Sequence, residues 1–201
     1  MTTKTIVGLI MLSLFVGLMI ISFFKKHETF FNIREITKNH LSLFKNCKYQ
    51  YITFYGFPLL FAIGLALIYE ADAAFYSEIS VVVGILLSML FAILSILTGY
   101  DFSNVKDDNQ KRKVKKVVAE TINAIVFDSV LCIFMMIYGL AVIVISGADY
   151  SWASIDLTVV KSVVSGVAYY IFTVILLTLL LIVKHMSKII EFKNSMKHND
   201  E

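Results

Sequence analysis

Positive charge in this chain falls almost entirely into alternate polar segments between long apolar runs, and that alternation constrains the fold more than any motif does. Five apolar stretches occupy about residues 5–24, 51–69, 79–99, 122–146 and 157–183. Lys25, Lys26, Arg34, Lys38, Lys45 and Lys48 lie after the first; Lys106, Lys111, Arg112, Lys113, Lys115 and Lys116 lie after the third. Lys184, Lys188, Lys193 and Lys197 follow the fifth, while the connections at 70–78 and 147–156 hold no Lys or Arg. Loops rich in Lys and Arg stay on the cytoplasmic side of a bilayer. The pattern therefore predicts an all-α, polytopic membrane protein with about five transmembrane helices, its N-terminus outside and its C-terminus cytoplasmic.

Hydrophobic residues make up 58% of the chain and charged ones 16%, against about 45–50% and about 25% in a soluble domain. Spans and connections use all 201 residues, so the expected organisation is one membrane domain over 1–201. The net charge is +3 and sits where a cytoplasmic membrane surface would be. Anionic lipid headgroups are then the first partner to expect, with nucleic acid a distant second. Cys47 and Cys132 fall in a cytoplasmic segment and a span, an arrangement for free thiols rather than a disulfide. Neither they nor His27, His40, His185 and His198 show metal-ligand spacing; the histidines lie among charges and read as solvated or headgroup-facing. No metal and no cofactor is expected.

The first run, Thr5 to Phe24, is 20 residues long, longer than the core of a signal peptide, and about 30 Å of helix spans a hydrocarbon core. The following segment, 27–50, spaces Phe30, Ile33, Ile36, Leu41 and Phe44 at helical intervals among polar residues. That is an amphipathic helix, lying either on the inner membrane surface or on the protein's own cytoplasmic face. The second and third runs are joined by a short acidic turn with Glu70, Asp72 and Glu78, which predicts an antiparallel hairpin. Pro58, the single proline, is placed one turn into the second span, with Gly56 supporting a local bend. The basic stem 106–120 passes into the fourth span without a breaker, and the fifth continues into a helical tail over 184–201.

Gly84, Ser88, Ala92, Ser95 and Gly99 put a small residue at every third or fourth position of the third span. Small residues let helix backbones approach closely, within one subunit or between copies. Asp128 is the one acid placed inside a span, about 10 Å in from Thr121. With Asn123 it makes the inner end of that span polar, and an intramembrane acid faces protein or water. It reads either as a pore-lining or proton-sensitive group, or as a carboxylate that snorkels or pairs with Lys115 or Lys116. Lys161 lies near the outer surface, within reach of Asp149 or Asp156. Lys111, Arg112, Lys113, Lys115 and Lys116 are the candidate lipid- or partner-binding cluster. Phosphate-loop, serine-hydrolase and zinc-protease motifs are absent, so no catalytic residue is assigned and a non-enzymatic role is expected.

The hairpin containing Tyr55-Gly-Phe-Pro-Leu-Leu and the run Ile79 to Leu97, followed by a charged stem, resembles the small membrane effectors of bacterial antiphage systems. Accessory membrane proteins of retron, CRISPR-linked and Kiwa-like operons share this plan. The resemblance implies an inner-membrane homo-oligomer that perturbs membrane integrity or ion flux after infection, working with a soluble partner. The alternatives are a membrane anchor or sensor that recruits a soluble partner through its basic face, and a small transporter.

Overall fold

The computed structural model describes residues 33–42, 48–100, 108–147 and 157–198, with Leu14 alone before them. The expected first span (5–24) apart from Leu14, Cys47, and the acids Asp149 and Asp156 lie outside the described residues, as do residues 27–32 and 43–47 of the expected amphipathic segment. Among the described residues every regular element is an α-helix: α1 (Ile33–Ser42), α2 (Lys48–Ile68), α3 (Ala73–Thr98), α4 (Asp108–Ser146) and α5 (Leu157–His198). Four of them, α2 to α5, are long and apolar enough to cross a membrane. That is compatible with a multi-pass membrane protein.

Length already separates two classes of helix. α3, with 26 residues, is about 39 Å long, close to a bilayer's full thickness. α4 and α5 have 39 and 42 residues, about 58 and 63 Å. They exceed the roughly 40–45 Å that includes both headgroup layers, so a bilayer could not contain either along its full length. One helix therefore covers both the basic stem and the fourth apolar run, and another covers the fifth run and the start of the tail.

The packing follows a 3–4 register. In α4 the buried positions Val114, Val118, Thr121, Ile125, Asp128, Cys132, Met135 and Gly139 step by four and three residues in strict alternation. α3 repeats the device with Tyr76, Ile79, Val83, Leu90 and Leu97, and α5 with Ala168, Ile171, Ile175, Thr178, Ile182 and Ile189. A 3.5-residue repeat keeps one seam facing its partner along the whole helix. α3 packs on α4, α4 on α5, and α5 on α2, giving a row of four helices with α1 laid against α4. Close approach is built in at Gly139, where an added Cβ would stand 3.1 Å from Ser80 Oγ. At the other contact Ala62 and Ala66 of α2 are buried, and a Cβ on Gly166 of α5 would meet Ala66 at 3.4 Å.

The expected hairpin is corrected by this order. α2 and α3 are consecutive and joined by a short turn, yet they do not pack along each other. The start of α5 holds their connection instead. Ser165 Oγ accepts from the Ala71 amide at 2.9 Å, and Tyr169 Oη donates to the Tyr69 carbonyl at 3.3 Å. Helix α3 also begins earlier than expected, because Asp72 caps it by accepting from the Phe75 amide at 2.8 Å. Glu78 thus belongs to the helix and not to the turn. α2 likewise begins at Lys48, so the polar segment expected over 27–50 ends before it, and Pro58 stands ten residues past the helix start rather than one turn in. There its ring nitrogen can return no hydrogen bond to the carbonyl four residues back.

Candidate intramembrane polar site

Asp128 occupies a seam position of α4, and that register buries it completely. Neither carboxylate oxygen has a hydrogen-bond partner among the described residues, and the hydroxyl of the adjacent Ser129 has none either. Cys132 follows one turn on, also fully buried, and Thr121 sits two turns before, its hydroxyl donating to the Val117 carbonyl at 2.6 Å. Thr121, Asp128, Ser129 and Cys132 thus bring hydroxyl, carboxyl and thiol groups inside one helix of the row. Asn123, the other expected polar residue, lies off the seam and is half-buried.

The surroundings of Asp128 follow from how its neighbours run. Tyr138 Oη donates to the Val164 carbonyl at 2.8 Å, so ten residues back along α4 corresponds to about Val174 and Ile175 of α5. On the other side Gly139 meets Tyr76 and Ser80, which places Asp128 about level with Leu90 of α3. Leu90 and Ile175 are fully buried and apolar. Thr178, also buried, has its hydroxyl turned back to the Val174 carbonyl at 2.9 Å. A carboxyl buried without donor or cation is the most expensive kind of side chain to place in such a bundle. The snorkelling and Lys-paired alternatives for Asp128 do not hold here: the side chain is sealed in the seam, and Lys116 faces Glu120 at 3.9 Å.

Helix α1 closes one side of this region. His40 is fully buried, its ring stacked on Phe127 with centroids 4.0 Å apart and planes 6° apart, and 5.8 Å from the ring of Phe54. Glu35, Lys38 and Asn39 face outward while Ile36, Thr37 and Leu41 are half-buried. α1 therefore packs on the protein itself, and His40 is not the solvated residue expected of it. Burial pushes its imidazole down from 6.5 to about 4. The sequence signal for this contact is weak: His40 extends the apolar stripe from Ile33 and Ile36 at helical spacing, but its polarity hides it.

The small-residue stripe of α3 turns away from the row. Ser88, Ala92, Ser95 and Gly99 are exposed, and a Cβ on the half-buried Gly84 would meet nothing within 4 Å. Packing within the chain uses the opposite, larger-residue face. Ser88 donates to the Gly84 carbonyl at 3.0 Å, which suits a hydroxyl on a lipid-facing helix. In the stem, Arg112, Lys113, Lys115 and Lys116 are exposed and Lys111 is half-buried. Lys161 is exposed near the start of α5. Among the described residues no group of His, Cys, Asp and Glu is arranged to hold a metal ion. No family model, curated protein or solved structure matches this chain.

Proposed function

We propose that this chain is a non-enzymatic protein of the bacterial inner membrane that assembles with copies of itself and alters ion flux or membrane integrity in antiphage defence. The observation that carries the reading is Asp128, a buried carboxyl in the apolar part of α4 without a hydrogen-bond partner among the described residues. Acids in spans mark ion and proton pathways because their desolvation is tolerated only where function uses it. The outward face Ser88, Ala92, Ser95 supports contact between copies, since small residues drive helix association in lipid. In this reading the Lys- and Arg-rich stems of α4 and α5 lie in the cytoplasm, as loops rich in these residues do, where a trigger would be received. The setting is the one implied by the resemblance to antiphage effectors.

The test is membrane potential and dye entry in bacteria expressing the chain alone and with its genomic neighbours. Depolarisation by the natural chain that falls at least about tenfold in rate for Asp128→Asn supports the reading. Depolarisation unchanged by Asp128→Asn would remove the acid from the mechanism, and intact potential in every condition would remove the flux.

A second reading, an anchor that recruits a soluble protein, is favoured by one observation: the exposed cations Arg112, Lys113, Lys115 and Lys116 stand on a helix too long for a bilayer to contain. Neutralising them should then release the partner and leave the membrane sealed.

A further inference from the structure

The stems of α4 and α5 enclose a cleft of about 510 Å³, lined by Lys113, Lys116 and Lys188 and by the side chains of Val117 and Phe192. Lysines from two antiparallel helices thus line one cleft together with apolar side chains. Two carboxylates, Glu120 and Glu191, share the cleft, and Glu120 lies 3.9 Å from Lys116. The balance inside is positive, and the surroundings reinforce it. Arg112, Lys115 and Lys184 are exposed on the same stems.

Depth gives the cleft its ligand. Lys116 precedes Ile122, the start of the apolar run, by six residues, which is about 9 Å of helix. Glu120 and Val117 lie nearer still. A headgroup layer extends roughly 5–8 Å beyond the hydrocarbon on each side, so the Lys116 backbone stands at its outer edge and Lys113 above it, and their flexible side chains reach down to the phosphodiesters. Lysine is a point charge on a flexible apolar stem, able to hold a phosphate while its methylenes cover apolar surface. Basic pockets between helices on the cytoplasmic side are suited to anionic headgroups.

We infer that the cleft between the α4 and α5 stems is a binding site for one anionic phospholipid, its phosphodiester held by Lys113, Lys116 and Lys188 and its glycerol turned toward Val117, the apolar lining residue nearest the hydrocarbon. The inference rests on the membrane reading of α4 and α5, and on nothing about flux. A lipid seated there ties the two stems together at the membrane surface, which links the leaflet's charge to the end of the bundle that faces the cytoplasm.

The full chain, purified into lipid discs of equal phosphatidylglycerol and phosphatidylcholine, can be examined by native mass spectrometry for the lipid it retains. Retention of phosphatidylglycerol over phosphatidylcholine is expected, lowered by about tenfold or more when Lys113, Lys116 and Lys188 are all changed to Gln. Changing Arg112, Lys115 and Lys184 to Gln removes equal charge outside the cleft and should leave retention nearly intact. Equal loss in both triple variants, or no preference between the lipids, would overturn the site. Displacement of phosphatidylglycerol by millimolar inorganic phosphate would overturn the lipid assignment in favour of a free phosphate. None of these readouts involves ion flux, so loss of the flux reading leaves them standing.

Discussion

Between Asp108 and Glu120, α4 shows Arg112, Lys113, Lys115 and Lys116 outward and keeps Val114 and Val118 inside. Between Thr121 and Gly139 it shows Ile133, Phe134 and Met136 outward and keeps Thr121, Asp128 and Cys132 inside. The seam register does not change across the join; only the chemistry of the outward face does. In water a seam must be apolar to hold, and charges outside keep it soluble. In lipid the exterior is apolar by requirement, so there is little hydrophobic drive toward the seam and small or polar residues can sit in it. The comparison teaches where to look for chemistry. In the stem it lies on the surface, and in the span it lies in the seam.

The largest expected effect tests whether the seam in the span is held by packing. Ile125 is fully buried, and Ile125→Ala should destabilise the purified protein by about 3 kcal/mol through lost contacts and the cavity left behind. The same truncation at Val114 of the stem removes less volume and should cost about half as much. Thermal unfolding in one detergent compares the two. Equal costs, or a larger cost in the stem, would break the contrast drawn between them.

Asp128→Leu should move the other way. Replacing a buried, unpartnered carboxyl by an apolar residue of similar size removes a desolvation penalty, and a gain of about 2 kcal/mol is expected. Stability gained together with flux lost would mark the acid as retained for function at the expense of the fold. A loss of stability would mean that the carboxyl is satisfied within the assembled protein, and would shift attention to contacts between copies.

What could be read in advance follows the same division. Hydropathy marks α2 to α5 and the absence of Gly or Pro marks the continuity of α4 through its stem, whereas Asp72, which caps α3, reads in the sequence only as part of an acidic turn. Helix partners were not legible. In lipid-facing helices every face is apolar, so the seam does not stand out from the exterior by hydropathy alone. That is why the outward turn of Ser88 and Ala92, and the separation of α2 from α3, come only from the structure. Asp128 was found by its charge but not placed. Carrying the Val114, Val118, Thr121, Ile125 spacing one step further lands on it, and this was the available signal. For His40 the stripe from Ile33 and Ile36 was the only signal and its polarity hid it, since its burial depends on Phe54 of the next helix and Phe127 of α4.

His40 packs on Phe127, inside the span regime of α4, and its protonation gives a smaller, graded test. Burial lowers its pKa in the docked state to about 4, from 6.5 when free. The docked state therefore binds fewer protons than the undocked one, so docking is fully present above pH 6.5 and weakens as pH falls toward 4. The slope approaches about 1.4 kcal/mol per pH unit inside that window. Hydrogen exchange of the α1 amides should accelerate as pH is lowered from 7 to 4.5, after correction for intrinsic exchange. His40→Phe, which keeps the stacked ring on Phe127 and cannot titrate, should flatten the response. A response unchanged in that variant would assign the pH dependence to another group.

The smallest effect is expected from the most visible charges. Lys116 and Glu120 form an i,i+4 pair at 3.9 Å with the lysine side chain 77% exposed. Such pairs contribute about 0.3–0.5 kcal/mol, and less with the lysine on the N-terminal side. Lys116→Gln should therefore leave the unfolding temperature in detergent essentially unchanged, in contrast to Val114→Ala two residues away. A near-silent Lys116 in unfolding, beside a costly Val114, would show that the stem's fold is carried by its valines and leave its cations free for binding. A destabilisation above about 1 kcal/mol would instead make the cations part of the fold, and the stem would then differ from the span in degree rather than in kind.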